Sequence, residues 1–72
     1  MAMVFDVYGR LQVRVRTAGD WMVVEVPRGD GTRHALPDVV IPADRTEGEI
    51  VAVLEAVFHE AGRPGEAISR VG

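Results

Sequence analysis

The stretch that decides the fold runs from residue 11 to residue 27 and reads LQVRVRTAGDWMVVEVP. Its first half alternates between apolar and polar side chains, with Leu11, Val13 and Val15 on one side of the chain. A period of two residues is typical of a β-strand with one buried face. A glycine separates this run from a second apolar run. We therefore predict a hairpin of two antiparallel strands, at residues 11–16 and 21–27.

The hairpin turn sets which side chains meet across the two strands. If Ala18-Gly19 is a two-residue connection, Val15 lies opposite Met22 and the apolar side chains pair on one face. The alternate residues then point to the other side of the sheet, which we call the outer face. The side chains that we expect on the outer face are those of Val4, Tyr8, Arg14, Arg16, Trp21 and Val23. The same register places Arg16 beside Trp21, Arg14 beside Val23, and Gln12 beside Glu25.

A strand at residues 3–8 precedes the hairpin, and a possible short strand at residues 32–36 follows it. Phe5 reaches the same face as Val13 if the loop near Gly9-Arg10 has an odd number of residues or if the strand contains a bulge, because a one-residue slip reverses the faces. We predict this odd loop. Pro37-Asp38 interrupts the possible fourth strand, and residues 39–42 are expected to form an extended connector.

One amphipathic helix is predicted at residues 47–61. Thr46 followed by Glu49 is a capping-box pattern, and Asp44 followed by Glu47 offers a second register. Gly62 is expected to provide a left-handed C-terminal cap. The apolar residues of this segment recur at helical spacing and form one stripe. We expect Ile50, Leu54, Val57 and Phe58 to be buried against Phe5, Val13, Val15, Met22 and Val24.

Together these elements predict an α+β fold in a single small domain spanning residues 1–72. The sheet is a three- to four-stranded antiparallel meander, and the C-terminal helix packs on one of its faces. The 72 residues are 47% hydrophobic and 26% charged, as in a folded domain. Residues 66–72 have no clear pattern, although Ile68 and Val71 suggest that this tail packs against the domain.

Composition limits the classes of function. Cysteine is absent and the net charge is −3, which predicts no disulfide, no thiolate metal site and no general attraction to nucleic acid. No apolar run approaches the ~18 residues that span a bilayer, and no signal peptide is recognisable. We therefore expect a cytoplasmic protein with no membrane association.

The two histidines do not form a catalytic or metal-binding pattern. His59-Glu60 would need a second histidine four residues after the first to resemble the zinc-protease motif, and Arg63 occupies that position. His34 lies on a different element, without a second ligand at metal-binding spacing. We expect no metal, no cofactor and no enzymatic activity.

The outer face is the stronger candidate for function, because Trp, Tyr and Arg dominate interaction hot spots. We predict that Trp21, Arg14, Arg16, Val23 and Tyr8 bind an unidentified protein partner or a second copy of the chain. In the alternative, the face is solvated and the arginine stems cover Trp21. A second alternative is RNA or single-stranded nucleic acid stacked on the aromatic side chains. A third is dimerisation through the small residues Gly48, Ala52 and Ala56 of the helix.

Short strings spread along the chain resemble a family of short, uncharacterised bacterial proteins. These strings are FDVYGR at residues 5–10, Trp21, VIP at residues 40–42, FHE at residues 58–60 and RPG at residues 63–65. The resemblance covers nearly the whole chain. It implies a stand-alone bacterial domain and no particular activity.

Overall fold

The computed structural model describes residues 2–72 and contains a five-stranded antiparallel sheet. In chain order the strands are β1 (Ala2–Val7), β2 (Leu11–Ala18), β3 (Trp21–Pro27), β4 (Arg33–Pro42) and β5 (Ile68–Arg70). Helix α1 (Glu47–Val57) and a 3₁₀ turn (His59–Ala61) stand between β4 and β5. Across the sheet the order is β4-β3-β2-β1-β5. This confirms an α+β class with an antiparallel sheet and one helix.

The expected three to four strands were too few, because the tail adds β5 to the edge of β1. Val7 pairs with Ile68, which is only 6% exposed. Arg70 Nη1 donates to Glu47 Oε1 at 3.0 Å and so links β5 to α1. Val71 is exposed, so only part of the tail packs as expected. A three-residue strand is too short for its alternation to be recognised in a sequence.

The loop between β1 and β2 has the predicted odd length. Val7 pairs with Leu11, which leaves residues 8–10 in the loop, and Phe5 pairs with Val13. Tyr8 and Gly9 both take positive φ values, 56° and 72°. Asp6 Oδ2 accepts a hydrogen bond from the Gly9 N–H at 2.9 Å, which supports the tight turn. The two strands therefore present their apolar residues to the same face.

The hairpin between β2 and β3 turns one residue later than predicted. Ala18 pairs with Trp21, so the connection is Gly19-Asp20 rather than Ala18-Gly19. The favoured two-residue hairpin turns require a positive φ at their first central residue, and Gly19 has a φ of 65° there. Val15 consequently lies opposite Val24, not Met22. Each pair shifts by two residues, so every side chain keeps its predicted face.

Strand β4 unites the possible short strand and the expected connector. Val23 pairs with Val40 and Glu25 pairs with Ala35, so the register shifts between these pairs and residues 36–39 form an irregular segment. Pro37, which cannot donate to a ladder, lies within this segment. The sheet accommodates the interruption because β4 is an edge strand.

Helix α1 begins as predicted and ends earlier. The capping box is present: Glu49 N donates to Thr46 Oγ1 at 3.2 Å, and Thr46 N donates to Glu49 Oε1 at 2.9 Å. The C-cap is Phe58, so the predicted end at residue 61 was wrong. Gly62 has an extended φ of −82° and is not a left-handed cap. Within residues 2–72, no helix is long and apolar enough to cross a membrane.

The hydrophobic core lies between α1 and one face of the sheet. All five sheet residues expected there are buried, as are Ile50 and Leu54 from the helix. Phe58 is half-buried against the core. Val57 is 38% exposed, so its predicted burial was wrong. The complete core consists of Phe5, Val7, Val13, Val15, Met22, Val24, Ile41, Ile50, Leu54 and Ile68.

Candidate functional site

The outer face is the sheet surface on the side away from the core. In β3, Met22 and Val24 lie in the core. The alternate residues Trp21, Val23 and Glu25 therefore point to the outer face. Their partners across the sheet share this orientation. In β2 these are Ala18, Arg16 and Arg14, and in β4 they are Pro42, Val40 and Ala35.

Apolar side chains gather at one corner of the outer face. Trp21 is 51% exposed and Val40 is 53% exposed. Val23 pairs with Val40, and Pro42 pairs with Trp21. We call these four residues the apolar corner. An indole that retains half of its exposure beside an exposed valine forms a larger apolar area than scattered single side chains do.

Beside the apolar corner lie two arginines that share one carboxylate. Arg14 Nε donates to Glu25 Oε1 at 2.7 Å, and Arg16 Nε donates to Glu25 Oε2 at 3.1 Å. We call these three residues the Arg-Glu-Arg cluster. Hydrogen bonds from Arg14 and then Arg16 lower the pKa of Glu25 below its ordinary value of 4.5. The carboxylate therefore stays ionised at neutral pH and orients both guanidinium groups.

The arginines do not flank Trp21 in the way that the sequence predicted. The residue directly opposite Trp21 is Ala18, while Arg16 lies opposite Val23 and Arg14 opposite Glu25. The shift in the hairpin turn causes this difference. Within residues 2–72, the arginine that lies over an aromatic ring is Arg10. Its guanidinium carbon is 5.8 Å from the centre of the Tyr8 ring. The prediction grouped Trp21, Arg14, Arg16 and Val23 correctly on one face but misplaced their neighbours.

Tyr8 does not belong to the outer face, which corrects its predicted place there. Tyr8 lies in the β1–β2 loop, where it has a positive φ and packs against the core. A Cβ at Gly62 would stand 2.9 Å from Tyr8 Cζ, so the ring covers Gly62 closely. Arg10 also reaches the segment after the helix: its Nη1 and Nη2 donate to the two oxygens of Glu66 at 2.6 and 2.8 Å. We call Tyr8, Arg10, Gly62 and Glu66 the loop clamp.

Sequence reasoning placed Glu25 on the outer face opposite Gln12 and left it out of the candidate binding residues, and it missed Val40 and Pro42 as members of this face. The hairpin turn contained the signal that Glu25 pairs with Arg14. If Gly19 is assigned to the position that requires a positive φ, Glu25 falls opposite Arg14. The signal for Val40 and Pro42 was weaker, because Pro37 and the irregular segment conceal that residues 39–42 continue β4.

A second apolar surface lies between β4 and α1. A groove of about 320 Å³ is lined by Asp38, Val39, Val40, Val53, Ala56 and Val57. Val57 lines this groove, which accounts for its exposure. Gly48 and Ala52, the other small residues of the helix stripe, are also exposed.

The two histidines lie on different elements. His59 is exposed at the start of the 3₁₀ turn. His34 pairs with Val26 and is half-buried, and its Nδ1 has no hydrogen-bond partner among residues 2–72. The same residues contain no group of three His, Asp or Glu side chains arranged to hold a metal ion.

Comparison with known proteins places the chain in a family. The sequence model of a domain of unknown function, DUF7661, matches residues 2–71. The chain belongs to the DUF7661 family. This membership agrees with the resemblance to uncharacterised proteins noted in the sequence. No curated protein and no solved structure matches this DUF7661 chain significantly.

Proposed function

We propose that this protein is a small interaction module that binds a protein partner through its outer face. The observation that carries the proposal is the exposure of Trp21, at 51%, beside Val40, at 53%, on an uncovered face of the sheet. Burial of a tryptophan releases a large apolar area from water, and the indole N–H can still find an acceptor at the rim of an interface. Residues of this type anchor protein interfaces.

The Arg-Glu-Arg cluster supports a protein partner over a nucleic acid. Glu25 neutralises one of the two positive charges on this part of the sheet. Binding of a nucleic acid chain relies on several cations along the phosphate backbone and on several stacked bases. The outer face combines one tryptophan, aliphatic side chains and a nearly neutral charge cluster, as interfaces between proteins do. The proposed role requires no catalytic group, metal or cofactor.

Capture of partners from the native cell tests this function. The tagged protein and its Trp21→Ala variant are compared, and the co-purifying proteins are identified and titrated. We expect the variant to bind its partner, or a second copy of the chain, about thirtyfold more weakly, because an interface anchor contributes ~2 kcal/mol. Val57→Ala is the matched control, since it also truncates an exposed apolar side chain but lies on the helix.

A melting curve of each variant completes the test. Trp21 lies outside the core, so we expect Trp21→Ala to change the free energy of unfolding by about 0.5 kcal/mol or less. If Trp21→Ala binds the captured partner as tightly as the parent, the outer face is solvated and the proposal fails. The proposal also fails if Val57→Ala weakens binding as much as Trp21→Ala does.

A further inference from the structure

The Arg-Glu-Arg cluster holds hydrogen-bond donors that the chain itself does not use. Each arginine bonds to Glu25 through Nε alone. Within residues 2–72, the terminal nitrogens Nη1 and Nη2 of Arg14 and Arg16 make no hydrogen bond to the protein. The arginine side chains are 38% and 44% exposed, whereas Glu25 is 12% exposed. The carboxylate thus anchors the guanidinium groups from below and leaves their outer edges free.

The charge of the cluster selects an anionic ligand. Two guanidinium groups and one carboxylate leave one net positive charge. The paired terminal nitrogens of a guanidinium match the two oxygens of a carboxylate, and such bidentate pairs are both stronger and more directional than single hydrogen bonds. Because Glu25 already orients the arginines, less side-chain entropy is lost when a ligand binds.

The apolar corner adds a second requirement on the same ligand. Arg16 lies opposite Val23, which in turn pairs with Val40, so the cluster and the corner are continuous across β2, β3 and β4. Adjacent strands are about 4.8 Å apart, so a short segment of chain can cover both. A carboxylate next to an apolar side chain would satisfy the free donors and bury Trp21 together.

We infer that the outer face binds an acidic segment of a partner protein, in which a carboxylate contacts Arg14 and Arg16 and an adjacent apolar side chain covers Trp21. This inference rests on the proposed function and names the chemistry of the partner. A nucleic acid fits less well, because its phosphate backbone requires several cations where the cluster keeps one net positive charge, and a single tryptophan offers one stacking platform.

The only tryptophan of the chain provides a direct reporter of binding. The probe is a short blocked peptide of alternating glutamate and leucine, and its control has glutamine in place of glutamate. We expect the glutamate peptide to change Trp21 fluorescence in a saturable way and to bind about tenfold more tightly than the control, as a charge-assisted pair of ~1.4 kcal/mol requires. Added salt should reduce this advantage.

Three variants locate the effect on the cluster. The double variant R14Q/R16Q should lose the tenfold preference for the glutamate peptide. R28Q, which removes the same kind of charge from an exposed loop arginine, should keep it. R14K/R16K retains both charges but lacks the paired nitrogens, and we expect it to lose severalfold in affinity. If R14Q/R16Q does not fold, R14K/R16K tests whether the guanidinium groups bind the glutamate peptide.

Several outcomes would overturn the acidic ligand. They are equal affinity for the two peptides, an equal loss in R28Q, full affinity in R14K/R16K, or tighter binding of a mixed single-stranded DNA oligonucleotide than of the glutamate peptide. If these occur while Trp21→Ala still abolishes capture of a cellular partner, the interaction face stands and only its ligand chemistry is wrong. If capture is independent of Trp21, the proposed function itself fails.

Discussion

Neighbouring residues of β3 occupy opposite environments. Met22 and Val24 are 3% and 0% exposed and lie in the core, whereas Trp21 is 51% exposed on the outer face. On the core side, α1 and the sheet exclude water from ten apolar side chains. On the outer side, two arginines and a glutamate lie beside the apolar corner without a covering helix.

The two faces therefore have different tasks. Burial on the core side provides the free energy that holds so small a domain together, at about 25 cal/mol per Å² of apolar surface. Trp21, Val40 and the two arginines remain partly exposed on the outer face, so they are available for recognition. Substitutions on the core side should change stability, and substitutions on the outer face should change binding.

The largest expected effect is on the core side of the helix. Leu54 is fully buried, so Leu54→Ala should lower the free energy of unfolding by about 2–5 kcal/mol and leave the domain partly unfolded. Val57, three residues later on the same helix, is 38% exposed, and Val57→Ala should cost about 1 kcal/mol or less. Thermal and urea denaturation measure both. Equal losses in the two variants would show that α1 packs with a different face toward the sheet.

A smaller effect is expected at the loop clamp. A Cβ on Gly62 would meet Tyr8 Cζ at 2.9 Å, and Arg10 and the core restrict the movement of that ring. We expect Gly62→Ala to destabilise the domain by about 1–2 kcal/mol through overpacking.

Gly48→Ala is the matched control for Gly62→Ala. No atom lies within 4 Å of a Cβ at Gly48, and this residue is helical. The change should stabilise the domain by up to about 1 kcal/mol, because alanine favours a helix more than glycine does. Denaturation measures both changes. If Gly62→Ala lowers the free energy of unfolding while Gly48→Ala raises it, the close contact with Tyr8 is confirmed. If both substitutions raise it, the close contact is disproved.

The smallest effect concerns the charge cluster of the outer face. Its arginines hold the pKa of Glu25 below 4.5, so the cluster stabilises the folded state above about pH 5 and loses this contribution as the pH falls through the folded pKa. Partly exposed ion pairs of this kind contribute about 0.5–1 kcal/mol. The parent should therefore exceed Glu25→Gln in stability by this amount at neutral pH.

Acidification should remove the difference in the free energy of unfolding between the parent and Glu25→Gln, because the protonated carboxyl resembles the amide. The difference should disappear below pH 4.5, the ordinary pKa of the group. Denaturation of both proteins across this range measures it, and the other carboxyls affect both proteins alike. A difference that stays constant down to the acid-unfolded state would contradict the ion pairs.

Much of the fold could be predicted from local patterns. Alternation identified the first three strands and assigned Trp21, Arg14 and Arg16 to one face. The capping box located the start of α1 to the residue. Each of these signals acts within a few positions along the chain, through the period of two of a strand or the orphan N–H groups of a helix terminus. The membership of Trp21 and the arginines in the candidate site followed from the same alternation.

Other features depend on contacts between distant parts of the chain. β5 pairs with β1 through Ile68 and Val7, and the ring of Tyr8 lies close against Gly62. The pairing of Glu25 with Arg14 depends on which residue of the hairpin turn takes a positive φ.

Thus the amino-acid sequence by itself determined the class of the fold, the position of the helix and the division of the hairpin into two faces. Only the tertiary structure decided the partners across the sheet, the exposure of Val57 and the removal of Tyr8 from the outer face. The physical reason is the range of the interactions. Periodicity and capping are properties of a few consecutive residues, whereas register, edge pairing and burial are settled by which surfaces the whole chain can bring together.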